Sequence, residues 1–204
     1  MSDAFKIVDW RGVRGLVAAE IKSETESAIT YDTPFRVCGV ATLKKTTETS
    51  SAKKYYDNIP VIVIQASGSD EISIEGSAIQ ESVQATLMGE YYDETLGMYV
   101  EGEPETKYFA LGYITEDTDG NERYIWRLKG TFSYPESEHD TKDDGTDSTG
   151  TTLVYTGVNT MTKFTKNGNK TAKAVNVLAS KYTAGEDKFF ETVQTPDTVG
   201  TTGS

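Results

Sequence analysis

Two segments in which apolar and polar residues alternate constrain the fold most. Residues 107–115 and 122–134 both show a period of two, and residues 116–121 between them contain an Asp-Gly pair. Such alternation is typical of a strand, and Asp-Gly is typical of a tight hairpin turn. The sequence therefore predicts an antiparallel β-hairpin. Its second strand should present one apolar face, made of Tyr124, Trp126, Leu128, Phe132 and Tyr134.

Further strands are predicted on both sides of this hairpin. The run Val61–Ile64 is entirely β-branched, which favours a strand buried on both faces. Alternation or β-branched composition predicts the other strands at 35–43, 72–75, 151–165 and 170–177.

One helix is predicted at residues 78–88. Ser77 and Gln80 have the spacing of a capping box, and Gly89 supplies a C-terminal stop. Ile79, Val83 and Leu87 form one apolar stripe on this helix. Residues 186–193 (EDKFFETV) are compatible with a second short helix that ends before Pro196. Together these elements predict a mainly β fold, an antiparallel sandwich or barrel-like pair of sheets with one short flanking α-helix, in a single domain spanning 1–204.

Three polar segments are expected to lie outside the core. Residues 44–57 are rich in Thr, Ser, Glu and Lys, which predicts a loop or an extended hairpin arm. Residues 135–150 carry six carboxylates against one lysine and predict a mobile acidic loop. The C-terminal residues 197–204 are expected to be disordered.

The charge of the chain limits the partners that it can bind. Its net charge is −12, which disfavours binding to nucleic acid or to an anionic membrane, because both need clustered Lys and Arg. Cys38 is the single cysteine, so no internal disulfide can form. We expect no secretory signal, because no basic segment followed by an apolar one comes after the polar start MSDAFK. We expect no membrane anchor, because the longest apolar run, Val61–Ile64, is too short to span a bilayer.

Residues that could carry chemistry are few. The single histidine, His139, lies in the acidic loop, and Cys38 lies within a predicted strand, so neither is in the setting of a nucleophilic site. Residues 117–121 and 143–147 have some character of calcium loops, but position 128, where the first would need a bidentate Glu, is Leu. Phosphate-binding glycine motifs are absent from the sequence. We therefore expect no enzyme activity, catalytic residue, metal or cofactor.

The order of these features resembles the major tail protein family, which builds the tail tube of siphophages that infect Gram-positive bacteria. The resemblance covers roughly residues 35–196, and its most specific part is the strand YIWRLKG at 124–130. The other matching features, in chain order, are Val61–Ile64, the Ser/Gly turn with the Ile-x-Ile strand, Leu87-Met88-Gly89, Tyr91-Tyr92-Asp93, Tyr108–Tyr113, Phe132, Pro135, Thr141-Lys142 and Phe189–Val193.

The resemblance implies a structural role in the virion. Tail-tube proteins form hexameric rings that stack into a tube around a tape-measure protein, meet a tail terminator, and later conduct DNA without binding it specifically. Assembly would take place in the host cytoplasm. The segment 44–57 would then be an arm that becomes ordered against a neighbouring subunit. The interface residues predicted on this basis are Lys53, Lys54, Tyr55, Tyr56 and Asp57.

Two other classes of function remain open from the sequence. One is a β-sandwich binding module, such as a carbohydrate-recognising or surface-recognising domain of a fibre or decoration protein, which the numerous aromatic residues and Asp-Gly loops favour. The other is a hydrolase that uses paired carboxylates, which only the acidity of the chain favours.

Overall fold

A computed structural model of the protein describes residues 6–56, 59–139 and 150–200. It confirms the predicted mainly β, antiparallel fold. The strands are β1 (Trp10–Glu24), β2 (Ile29–Tyr31), β3 (Phe35–Arg36), β4 (Val40–Tyr56), β5 (Ile59–Gly76), β6 (Tyr91–Asp93), β7 (Met98–Val100), β8 (Phe109–Asp117), β9 (Glu122–Phe132), β10 (Glu136–Ser137), β11 (Thr151–Gly157) and β12 (Ala174–Leu178). The described residues form two α-helices, α1 (Glu81–Met88) and α2 (Gly185–Glu191), rather than one.

Most strands belong to one curled antiparallel sheet. Its order is β2-β1-β8-β9-β11-β5-β4, and β3, β10 and β12 add to β1, β11 and β9 respectively. Strand β1, near one end of this order, also contacts β4 at the other end. The sheet is therefore curled into a barrel-like body, with β6 and β7 forming a separate hairpin.

The concave side of the sheet encloses an inner core. Leu16 of β1, Ile72 and Ile74 of β5, and Leu111 of β8 are fully buried there. Leu87, on the predicted apolar stripe of α1, packs into the same cluster. Burying each of these large side chains contributes about 1.5–3 kcal/mol, so this cluster holds the two ends of the sheet together.

The outer face of β8 and β9 is covered by the C-terminal part of the chain. Trp126 of β9 and Phe189 of α2 are both fully buried in this outer core. The Trp126 indole Nε1 donates a hydrogen bond to the Phe189 carbonyl oxygen at 3.1 Å. The sheet is therefore buried on both sides at its centre, which is why Ala110 and Leu111, neighbours in sequence, are both inaccessible.

Strand β1 was not predicted from the sequence, because a bulge interrupts its alternation. The three residue steps from Arg14 to Val17 in β1 lie opposite only two residue steps, from Ile114 to Gly112, in β8. Gly15 lies in this bulge with φ +70°, a conformation that glycine adopts without strain. As a result Val13 and Leu16, three positions apart, both face the inner core.

A bulge in β9 makes the prediction of one common apolar face wrong at Phe132. Tyr124, Trp126 and Leu128 do share the outer core. The register then shifts between Arg127 and Gly130, and Phe132 packs into the inner core.

The boundaries of several other elements also differ from the predictions. The predicted strand 35–43 is two strands, β3 and β4, separated by residues 37–39, and the segment predicted as strand from 151 to 165 leaves the sheet after Gly157. The predicted strand 170–177 is β12, which pairs with β9.

The end of α1 was predicted correctly, whereas its start was not. Gly89 adopts the left-handed conformation, with φ 68°, at the C-terminal end. The predicted capping box is absent: Gln80 is the N-cap and makes no side-chain cap bond. The Ser77 hydroxyl instead accepts a hydrogen bond from the backbone N–H of Gly39 at 3.0 Å.

Two segments expected to be mobile or disordered have described contacts. Within the predicted acidic loop, Glu136–Ser137 pairs with β11, while residues 140–149 lie outside the described part of the chain. Near the C-terminus, the Asp197 carboxylate accepts hydrogen bonds from the backbone N–H groups of Thr165 and Lys166 at 2.9 and 2.8 Å. Val199 packs against the outer core, so residues 197–200 have a defined place, and 201–204 lie outside the described residues.

Candidate assembly surface

The longest strand pair of the molecule, β4 and β5, extends well beyond the sheet. Its pairing runs from Val40 opposite Gly76 to Tyr56 opposite Ile59. Strand β11 covers only residues 70–76 of β5. We therefore divide the pair into a base, residues 40–47 and 70–76, and an arm, residues 48–56 and 59–69. Nine residues of a strand span about 30 Å, which is the approximate length of the arm.

The arm is a two-stranded ribbon. Within the described part of the chain its strands pair with each other and with no third strand. Such a ribbon is marginally stable in water by itself, and each of its outer edges presents N–H and C=O groups to which another strand can bind. Of the segment 44–57, predicted as a loop or an extended hairpin arm, residues 44–47 lie in the base, residues 48–56 form one strand of the arm, and residue 57 lies outside the described residues.

The arm exposes large apolar side chains. Ile59 is 63% exposed and Ile64 is 50% exposed. The prediction of a strand at 61–64 is therefore confirmed, but the prediction that it is buried on both faces is wrong at Ile64. For residues 61–63 the backbone pairing is described, and their side chains lie outside the described part. The exposed part of the Ile64 side chain can lose its contact with water against another molecule.

The residues predicted at the interface all map to the tip of the arm: Lys53, Lys54, Tyr55, Tyr56 and Asp57. Lys53 and Lys54 lie in β4 with exposed side chains. Successive side chains of a strand point to opposite faces, so the two lysine side chains lie on opposite faces of the ribbon. Tyr55 and Tyr56 take part in the backbone pairing with β5, whereas their side chains and all of Asp57 lie outside the described residues.

A buried carboxylate fixes the arm to the body. Asp70, at the junction between base and arm, is only 3% exposed. It accepts a hydrogen bond from the Thr47 hydroxyl at 2.8 Å, and its other oxygen lies 3.0 Å from an Arg127 guanidinium nitrogen. The ammonium groups of Lys173 and Lys45 lie 3.4 and 4.0 Å from the same carboxylate.

This cluster keeps Asp70 ionised. Burial by itself would raise the pKa of Asp70, but the hydrogen bond from Thr47 and the positive charges of Lys45, Lys173 and Arg127 outweigh it and lower that pKa below its usual value. Lys173 also donates to the Ser67 hydroxyl at 3.2 Å and to the Gly68 carbonyl oxygen. The cluster thus ties β9 and Lys173, which directly precedes β12, to the end of the arm that adjoins the base.

The arm differs in charge from the rest of the chain. The arm and the turn that joins its strands, residues 48–69, contain two lysines, one glutamate and one aspartate, so their net charge is zero and the remaining residues carry the whole net charge of −12. A neutral ribbon with two lysines near its tip is not repelled by the acidic surface of a second copy, and the lysines can pair with carboxylates there.

The candidate sites of other kinds are explained by local structure. One Asp117 carboxylate oxygen accepts the backbone N–H groups of Asp119 and Asn121, both at 2.9 Å, and Lys6 pairs with Asp119 at 2.7 Å. The carboxylates of Asp117 and Asp119 thus stabilise the β8–β9 turn. Residues 143–147 lie outside the described residues. In the described ranges, no three His, Cys, Asp or Glu side chains are grouped as metal ligands.

The two residues considered as nucleophiles, His139 and Cys38, lie in settings that do not activate them. His139 is exposed, and Cys38 is half-buried beside the inner core, where burial raises the pKa of its thiol. A raised pKa leaves the thiol protonated and weakly reactive at neutral pH. Across residues 6–56, 59–139 and 150–200, none of the helices is both long enough and apolar enough to cross a membrane.

Sequence reasoning found the arm but missed its junction. Asp70 follows a Ser-Gly-Ser turn signal in the sequence, yet β5 continues through residues 67–69, where its register with β4 shifts by one residue. Its partners Arg127 and Lys173 are separated from it by 57 and 103 positions, and no local pattern links residues so far apart. The uninterrupted length of polar, Thr-rich sequence at 44–54 was the available signal that β4 continues beyond the core.

A scan against protein-family models found no match to this chain, and a search of curated proteins found none either.

Proposed function

We propose that this protein is a structural subunit that self-assembles into stacked rings forming a tube, as in the tail of a siphophage, through which DNA passes. The proposal starts from the resemblance in the order of sequence features. The resemblance further implies six copies per ring, a tape-measure protein inside the tube and a terminator at its end. No enzymatic step is assigned to the chain.

The observation that carries the proposal is the arm. A ribbon of about 30 Å with unpaired edges and exposed isoleucines is an unfavourable feature for a monomer, because it invites association. Its net charge of zero, with two lysines near the tip, against −12 for the remainder favours another copy of the same chain as the partner. We therefore assign to the arm the contact that extends the sheet of one subunit onto its neighbour.

The acidity of the remaining residues agrees with a conduit for DNA. A lining rich in carboxylates repels phosphate, so DNA can move past it without being held. The same net charge keeps the subunit soluble before assembly.

Shortening the arm tests the proposal. Thr49 pairs with Ser67, so replacing residues 50–66 with Asn-Gly closes the two strands with a two-residue hairpin turn. We expect negative-stain electron microscopy to show rings or tubes for the concentrated wild-type protein, and monomers only for the shortened variant. Because the junction at Asp70 is untouched, the variant should keep the circular dichroism spectrum and thermal unfolding of the wild-type monomer.

Two results would count against the proposal in different ways. A wild-type protein that stays monomeric at every concentration would refute the assembly itself. A shortened variant that forms tubes as readily as the wild type would show that the subunits assemble without the arm.

A further inference from the structure

The barrel-like body is open at the end where β8 turns into β9. A cavity of about 590 Å³ lies there between the start of β1 and β4. We call this cavity the mouth. Its lining includes the inward-facing side chains Tyr113 and Ile125 together with Val13 and Trp10, and Trp10 is 66% exposed. The mouth is thus a recess that combines these apolar side chains with polar ones such as Thr42, Thr115 and Asn176, and it has the size that proteins use to enclose a small group.

The rim of the mouth is cationic. Arg11 and Lys45 both belong to its lining, and Arg127 lies deeper beside Asp70. Arg11 is exposed, so its charge faces solvent at the entrance. An occupant that combines an apolar tip with negative charge would match this arrangement.

A hairpin with an apolar tip and negative charge lies at the opposite end of the body. Strand β9 runs from the mouth end to Phe132, and the Tyr134 hydroxyl just beyond it donates a hydrogen bond to Glu90, which follows α1. Tyr99 of β7 contacts Gln84 of α1 at 3.4 Å. Helix α1 and the β6–β7 hairpin therefore lie at the end remote from the mouth.

The tip of this hairpin, residues 93–98, forms what we call the knob. Leu96 is 72% exposed at its turn, next to the exposed Glu94. The Asp93 carboxylate accepts hydrogen bonds from the backbone N–H groups of Thr95 and Leu96 at 2.8 and 3.1 Å. These bonds hold the turn in one shape, so the knob loses little conformational entropy when it binds.

We propose that the knob of one subunit inserts Leu96 into the mouth of the next subunit along the tube. The two surfaces lie at opposite ends of one molecule, have opposite charge and differ in shape. A contact between two different patches of this kind repeats head to tail without closing, which is the symmetry that stacking requires. This inference rests on the proposed function, because it names the stacking contact of the same assembly, and it is independent of the arm.

Removing the apolar tip tests the contact. We expect Leu96→Gln to raise the protein concentration needed for tubes at least tenfold in sedimentation and electron microscopy, while individual rings still form. Met161→Gln is the matched control, since Met161 is also an exposed apolar side chain, 49% exposed, and belongs to neither surface. Tubes of Leu96→Gln at the wild-type concentration would overturn the inference.

A charge exchange gives a second test with little risk to folding, because both side chains are exposed. Glu94→Lys and Arg11→Glu should each reduce tube formation, and the double variant should recover it. A double variant as impaired as the worse single variant would contradict the pairing of knob and mouth. If the wild-type protein gives no rings under any condition, the proposed function fails; rings that stack regardless of these changes refute only the stacking contact.

Discussion

The base and the arm of the β4–β5 pair are built from the same two strands but have opposite environments. In the base, Ile72 and Ile74 are fully buried beneath the curled sheet. In the arm, Ile59 of the same strand is 63% exposed and Ile64 is 50% exposed. The pairing continues through both regions without a change of partner.

This contrast separates the formation of a strand from its burial. The run Val61–Ile64 has the stronger β-forming composition, yet its Ile64 side chain is half exposed, whereas Ile72 and Ile74 of the more polar segment 70–76 are buried in the core. The composition of a strand fixes its preference for extended structure, and the rest of the fold decides what covers it. In the arm, the covering surface has to come from another molecule.

The largest expected effect concerns the boundary between the two regions. Asp70→Ala should lower the free energy of unfolding by about 3–5 kcal/mol, because it leaves the partly buried charges of Arg127 and Lys173 without their carboxylate. Urea unfolding of the monomer measures this change. Glu71→Ala, one position along and exposed, is the control and should stay within about 0.5 kcal/mol of the wild type.

A matched pair of truncations compares base and arm directly. Ile72→Ala should cost about 2–5 kcal/mol, since it creates a cavity in the inner core. Ile64→Ala should cost less than about 1 kcal/mol in the monomer, because half of its side chain already faces water. The order of the two variants should reverse in assembly assays. When equal amounts of folded protein are compared, Ile64→Ala should form fewer rings than Ile72→Ala. Equal losses of monomer stability would show that the arm is packed like the base.

The parts of this fold that could be predicted from sequence are those with local, uninterrupted patterns. The β8–β9 hairpin and the Gly89 helix end belong to this group. Alternation could not predict strand β1 or the inward orientation of the Phe132 side chain. Each strand contains a bulge, and one inserted residue reverses the face that every later side chain occupies. The Asp70 cluster depends on contacts between distant segments, and the mouth depends on the curvature of the whole sheet.

The pH dependence of stability offers a smaller effect at the same boundary. The pKa of Asp70 is lowered in the folded state, so its ionised form stabilises the fold fully above the unfolded value of about 3.9. That contribution is lost as the pH falls from there through the folded pKa. We expect unfolding midpoints in urea to drop more between pH 5 and pH 3 for the wild type than for Asp70→Asn. Equal drops would mean that Asp70 does not titrate in this window, and Glu71→Gln should retain the wild-type slope.

The smallest change in stability, and the most specific test of the arm, concerns its two lysines. Lys53→Glu and Lys54→Glu should each alter monomer stability by less than about 0.5 kcal/mol, because both side chains are exposed. The lysines face opposite sides of the ribbon, so a neighbour that packs against one side meets one of them. We therefore expect the two variants to differ, with one slowing assembly and losing its sensitivity to salt, as measured by light scattering at several ionic strengths. If both assemble as the wild type does, neither face of the arm contacts an acidic neighbour, and the backbone edge alone would have to carry the contact.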